Sequence, residues 1–243
     1  MSTSVLGMKP NRIDIGIEGE FLILDKKGKP CPAPYSIPRD NFDLLAEIRS
    51  DYGTPGVAFG SFVEKYNDVV DRFRHLGGDY KGYHMSTKEY PFTTEEYWEN
   101  VLRCATSYSN YKEEIVGGNI YGNKMRHRDI DGHIYRGGGL HIHISANKTT
   151  LIDGNTEVNF VFSWAKRDIE EFVRRFEKHP YIKSFLQDEP LNSYRQKGFW
   201  RLKDHGFEYR SLPMNAKTFK NLFKICRMAH NIAKDVIDDV YKY

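Results

Sequence analysis

Strict alternation of apolar and polar residues marks the first element of the chain. From Arg12 to Leu24, Ile13, Ile15 and Ile17 fall on one side. Asp14, Gly16, Glu18 and Glu20 fall on the other, the period-2 signature of a half-buried strand. The pattern recurs in Leu45–Arg49, where Ala46 and Ile48 oppose Glu47 and Arg49, and in Leu140–Ser145, where Leu140, Ile142 and Ile144 oppose His141 and His143. Phe199–Leu202 and Phe207–Leu212 read as a hairpin turning at Lys203–Gly206, with Phe207 and Tyr209 opposite Glu208 and Arg210. Helical spacing predicts helices over Phe59–Leu76, Thr93–Tyr108, Asn155–Lys178 and Ala216–Tyr241, the second opened by a Thr93/Glu96 capping box. Pro30, Pro32, Pro34 and Pro38 exclude helix from Lys27–Arg39. Strands and helices do not alternate as βαβ units, so the expected class is α+β with an antiparallel sheet.

Four of these strands place two ionisable residues at i and i+2: Glu18 and Glu20, Glu47 and Arg49, His141 and His143, Glu208 and Arg210. Both members of each pair point the same way from a pleated strand. With helices over the apolar side, the other side becomes a polar face lined by carboxylates, imidazoles and guanidiniums. Clustered carboxylates repel and their pKa values rise unless a cation neutralises them. Hard divalent ions suit them, and arginines alongside match phosphate or carboxylate. Any one of these strands alone reads as a solvated strand face. Their coincidence, beside Gly137-Gly138-Gly139, is what marks a site. Three consecutive glycines weaken a strand unless its backbone must approach something closely.

Composition narrows the picture. A chain of 243 residues, 40% apolar and 28% charged, is ordinary globular material, and one domain over residues 1–243 is expected. A formal charge of +3 gives no reason to expect nucleic acid as a partner. No apolar run is long enough to span a bilayer and no apolar leader follows Met1, so neither a membrane nor export is expected. Cys31, Cys104 and Cys226 are odd in number and far apart, which reads as reduced thiols in a cytoplasmic protein.

The motifs carry a family resemblance. Gly16-Ile17-Glu18-Gly19-Glu20-Phe21 resembles the G-x-E-x-E-F opening strand of the ATP-dependent carboxylate–amine ligases, which share the glutamine synthetase and glutamate–cysteine ligase fold. Gly138–Ser145 resembles their G-x-H-x-H-x-S strand, and Phe207–Pro213 their E-x-R-S strand with its following proline. Asp43–Ser50 is similar to the second strand of the amidoligase branch, whose short members are often carried by phages. The resemblance implies a curved, mainly antiparallel sheet with helices on its convex face and the active site on its concave face. It implies ATP and Mg²⁺ or Mn²⁺ as cofactors, and a carboxylate (amino acid or peptide) and an amine as substrates, joined through an acyl phosphate. Carried over residue by residue, Glu18, Glu20, Glu47, Glu208 and His141 are the expected metal ligands. His141, Arg195 and Arg201 are expected to touch the nucleotide phosphates, and Arg210, Glu208 and His143 to act in catalysis. The resemblance leaves the oligomeric state and both substrates open. Guanidino-type phosphotransfer, metal-dependent hydrolysis or oxygenation on the His pair, and nucleotide or amino-acid binding without turnover are the competing readings.

Overall fold

The computed structural model describes residues 9–40, 44–107, 117–119, 121, 129–152, 156–186 and 197–242. In chain order its strands and helices are β1 (Arg12–Leu24), β2 (Leu45–Arg49), α1 (Pro55–Arg74), β3 (His84–Ser86), β4 (Tyr90–Thr93), α2 (Thr94–Ser107), β5 (Gly117–Asn119), β6 (Asp129–Ile130), β7 (His133–Arg136), β8 (Gly139–Ile152), β9 (Thr156–Val161), α3 (Lys166–Lys178), α4 (Pro180–Leu186), β10 (Phe199–Lys203), β11 (Gly206–Pro213), α5 (Ala216–Lys220) and α6 (Leu222–Val240). The large sheet runs β2-β1-β8-β11-β10-β5, with β3 added to β1 and β9 to β8. A second sheet runs β4-β7-β6. Every pairing among the described residues is antiparallel. The architecture is therefore α+β, as the element order predicts.

Period-2 alternation sorts the two faces of the large sheet. Ile15, Ile17 and Phe21 of β1, Leu140, Ile142 and Ile144 of β8, and Phe207 and Tyr209 of β11 are all buried in one core. That core also takes Ala58 and Phe62 of α1, Phe172 and Phe176 of α3, and Ile225, Ala229 and Ala233 of α6. Aromatic rings interlock across the layer: Phe172 meets Phe207 edge-on and Phe176 meets Tyr209 in the same way. Leu22 lies on the opposite, polar face of β1. It packs with Leu44, Leu45, Phe92, Tyr97 and Ile134. The second sheet and the start of α2 thus cap one end of the polar face with apolar side chains.

Local signals account for the boundaries. Helix α1 begins a turn before the first apolar residue of its periodic run. Thr54 accepts a hydrogen bond from the Val57 N–H, and Pro55 stands at the first position. The Thr93/Glu96 capping box forms in both directions, at 3.0 and 3.2 Å. Two expected helices need correction. Residues Thr156–Val161 form β9, paired with the far half of β8, and the helix expected over Asn155–Lys178 is confined to Lys166–Lys178. Asp153-Gly154 ahead of the β-branched Thr156 and Val158 is a hairpin signal that outweighs the helical spacing. The C-terminal helix is broken at Asn221. Its side-chain amide donates to the Lys217 carbonyl at 2.7 Å and accepts from the Tyr181 hydroxyl at 2.8 Å, in place of continuing the ladder. The glycine run before β8 does mark a close approach. A Cβ on Gly138 would lie 1.7 Å from the Glu20 carbonyl oxygen, so its neighbour is the backbone of β1.

Two glycine substitutions separate these roles. Gly138→Ala pushes β8 off β1 and is expected to lower stability by roughly 1–3 kcal/mol or more. Gly60→Ala meets open space inside α1 and is expected to raise it by about 0.5–1 kcal/mol. Thermal or urea melts of the two variants check both signs.

Candidate functional site

The four motif strands, dispersed over the sequence, are consecutive in space as β2-β1-β8-β11, with β10 next. Register then decides which side chains meet. Glu18 stands between His141 of β8 and Arg49 of β2, and Glu20 stands opposite Glu47. His143 stands between Gly16 of β1 and Glu208 of β11, and Glu208 opposes Arg201 of β10. Directly opposed residues share a face. Glu18, Glu20, Glu47, His141, His143, Arg201, Glu208 and Arg210 are therefore brought together, whereas Arg195 lies outside the described residues.

His141 is the hub. Its Nδ1 lies 2.7 Å from Glu18 Oε1 and 3.0 Å from Glu208 Oε1, and its Nε2 lies 3.8 Å from Glu20 Oε1. Burial opposes a charge on this ring, but Glu20, Glu18 and Glu208 prevail and push its pKa up to about 10. Burial likewise opposes ionisation of Glu18 and Glu208. Hydrogen bonding and charge from the two histidines outweigh it for Glu18, and His141, Arg210 and His143 do so for Glu208; both acids are held well below the usual carboxylate range. Glu47 goes the other way. Burial and the nearby Glu18 charge outweigh its ion pair with Arg49 and push its pKa up to about 8. One edge acid is thus protonated at neutral pH while the central ones are charged.

The acids are not open to solvent. Glu18 is 4% exposed, Glu20 3% and Glu208 0%. Longer cationic side chains ion-pair with them: Arg49 Nε reaches Glu18 Oε2 at 3.1 Å, and Arg201, Lys203 and Arg210 converge on Glu208. Two groups have metal-ligand geometry, Glu18 with Glu20 and His141, and Glu18 with His143 and Glu208. In each, one ligand atom per residue lies within 4.8 Å of the others. Glu208 Oε1 and His143 Nδ1 are buried yet make no hydrogen bond. The His141 Nδ1–H is directed at Glu18, which leaves Glu208 Oε1 close but unserved. A buried carboxylate oxygen that is ion-paired to His141 and Arg210 but makes no hydrogen bond, set among carboxylates and imidazoles, fits a divalent cation, and the mixed oxygen and nitrogen donors suit Mn²⁺ as well as Mg²⁺.

Sequence reasoning assigned no role to four neighbours. Lys203 and His205 read as turn residues, although continuing the alternation from Arg201 places Lys203 on the same face. Arg49 was visible in the strand pattern without a partner. Tyr52 follows β2 and carries no periodic signal; its ring lies over Gly16, where a Cβ would come within 2.8 Å of it. The Tyr52 hydroxyl bonds His205 Nε2 at 2.7 Å, and both rings pack on His143. Trp200, next to Arg201 on β10, points the other way and packs in the core at 6% exposure.

The raised pKa of Glu47 has a sign that can be measured. A folded-state pKa above the unfolded value means stability is lost as pH rises from about 4.5 to about 8. Glu47→Gln removes that loss. In EDTA its melting temperature should match wild type near pH 4.5 and exceed it increasingly up to pH 8, each kcal/mol being worth roughly 2–4 °C in a chain of this size. A constant difference across that range would place the Glu47 carboxyl in the ordinary range.

Comparison with protein-family models and with curated proteins finds no match for this chain.

Proposed function

We propose that the chain is an ATP- and divalent-metal-dependent carboxylate–amine ligase of the glutamine synthetase-like type, with the polar face of the large sheet as its active site. The γ-phosphoryl group of ATP passes to an oxygen of the carboxylate substrate and ADP departs. The amine then attacks the acyl carbon, inorganic phosphate leaves and an amide remains. Phosphagen-type or hydrolytic chemistry would leave no activated acyl group.

The observation that carries this reading is the pair of overlapping ligand sets sharing Glu18, ringed by cations. Four carboxylates, Glu18, Glu20, Glu47 and Glu208, face four permanent cations, Arg49, Arg201, Lys203 and Arg210, with His141 as a fifth positive group. With Glu47 protonated, the face already carries more positive than negative charge. Two divalent ions would leave it strongly positive, and a polyanion such as a nucleoside triphosphate restores the balance. Divalent cations bound here supply charge neutralisation of the phosphates during transfer. Glu18, Glu20 and His141 would hold one such ion, and Glu18, His143 and Glu208 the other. Arg210, tethered with its Nε 3.3 Å from Glu208 Oε1, presents its guanidinium fork to the phosphoryl group. To ligate a metal, His141 would have to be neutral, so metal binding there would release its extra proton.

Hydroxylamine in place of the amine traps an acyl phosphate as a hydroxamate whatever the natural acceptor. With Mn²⁺ or Mg²⁺ and ATP, a panel of amino acids and short peptides is expected to give hydroxamate and stoichiometric ADP with at least one acid. Glu18→Gln and Glu208→Gln should each lower that rate by about 10³-fold or more, and Arg210→Lys by about 10²-fold. Turnover within about threefold of wild type in either Glu variant, with the fold intact by circular dichroism, would sink the metal assignment.

A further inference from the structure

Glu208 is contested between two sides of the site. Its Oε2 takes Nε and Nη2 of Arg201 at 3.0 and 2.8 Å and Nζ of Lys203 at 3.1 Å. Its Oε1, buried and without a hydrogen bond, faces His141 and Arg210. Arg201 and Lys203 occupy alternate positions of β10 and so leave the strand on one face. Their side chains keep 23% and 26% exposure, while the carboxylate between them has none. The cations reach solvent and the acid does not. A guanidinium fork and an ammonium held side by side, inner ends on a carboxylate and outer ends open, match the oxygens of a phosphate chain.

We infer that Arg201 and Lys203 form a polyphosphate-binding pair gated by Glu208. While Glu208 holds them they offer little to an anion, and a divalent cation on Glu208 Oε1 releases them. The inference rests on the metal–phosphate reading of this face, not on amide formation. A carboxylate has about four lone-pair positions. A divalent ion on one oxygen draws electron density from the other and repels the two side-chain cations. The Oε2 contacts weaken, and an anion replaces what Arg201 and Lys203 lose. Coupling of this kind is reciprocal: the metal admits the anion, and the anion retains the metal by the same factor. An anion alone competes with Glu208, and a metal alone faces Arg201, Lys203 and Arg210. The pair also assigns a role to Lys203, which the transfer chemistry leaves idle.

Inorganic tripolyphosphate is the probe, titrated calorimetrically into the full chain. In EDTA, Glu208→Gln keeps the shape and loses the charge, and should bind it at least about tenfold more tightly than wild type. Adding Lys203→Met to that variant should return the affinity to within about threefold of wild type. Lys166→Met, which removes an exposed cation at the start of α3 on the other side of the sheet, should leave it unchanged. With Mn²⁺ in excess, Lys203→Met alone should lose about tenfold in tripolyphosphate affinity while holding Mn²⁺ at least as tightly as wild type. This second arm stands if Glu208→Gln does not fold. Glu208→Gln binding no more tightly than wild type in EDTA would overturn the gate, as would Lys203→Met matching wild type in Mn²⁺. Wild type that takes no Mn²⁺ would overturn the gate together with the metal reading. A hydroxamate assay that stays blank while these binding results hold would overturn the ligase alone.

Discussion

A carboxylate removed entirely from water costs several kcal/mol unless cations and hydrogen bonds compensate it, and the charged Glu208 is compensated from three strands. Arg201 and Lys203 come from β10, Arg210 from its own strand β11, and His141 from β8. His141 is in turn held charged by the acids of β1. Remove any of these and a buried charge is stranded. The polar face is thus one coupled network in which the registers of β1, β8, β11 and β10 must all be correct together.

The other face enforces those registers by a different force. Period-2 alternation means that a slip of one residue would send Ile142 and Ile144 into the polar layer and His141 and His143 into the aromatic core against α3. The apolar layer of Phe172, Phe176, Phe207 and Tyr209 therefore fixes where the charges point. At the far end, the contact of Gly138 with the Glu20 carbonyl brings β8 close enough for the Gly139 N–H to donate to Glu20 Oε2 at 3.1 Å. Gly16 performs a related service at the near end by leaving room for the Tyr52 ring beside His143. Two of the motif glycines thus serve the protein's own packing, which is a reason for them independent of any ligand.

Hydrophobic burial and electrostatic satisfaction meet in the β10–β11 hairpin. Glu177 of α3, on the apolar side, accepts the Gly198 N–H at 2.6 Å and the Tyr209 hydroxyl at 2.8 Å. Those bonds set the start of β10 and the lie of β11 from below, while Arg201 and Lys203 bind Glu208 above. The segment that delivers cations to the site is held by a buried acid on the opposite side of the sheet. The placement of Arg201 and Lys203 therefore depends on the helix layer as well as on their own strand.

The strands that carry the chemistry were legible in the sequence because alternation is a local signal. Ile15/Glu18/Glu20, Leu140/His141/His143 and Phe207/Glu208/Arg210 each declare which side faces apolar matter, and the boundaries of β1 and β2 follow residue for residue. The helix expected over Asn155–Lys178 failed in its first half because strand pairing with β8 is a distant partner's contribution that a helical spacing count does not include. The break at Asn221 depends on Tyr181, forty positions away. What the sequence by itself determined is the identity of the ionisable pairs and the face each occupies, since both follow from neighbours two residues apart. Only the tertiary structure decided that the four strands lie side by side, that Glu208 is the carboxylate buried beneath three cations, and that Lys203, His205 and Tyr52 belong to the same neighbourhood. Those facts depend on strand order and register, which long-range burial sets and no short window of residues contains.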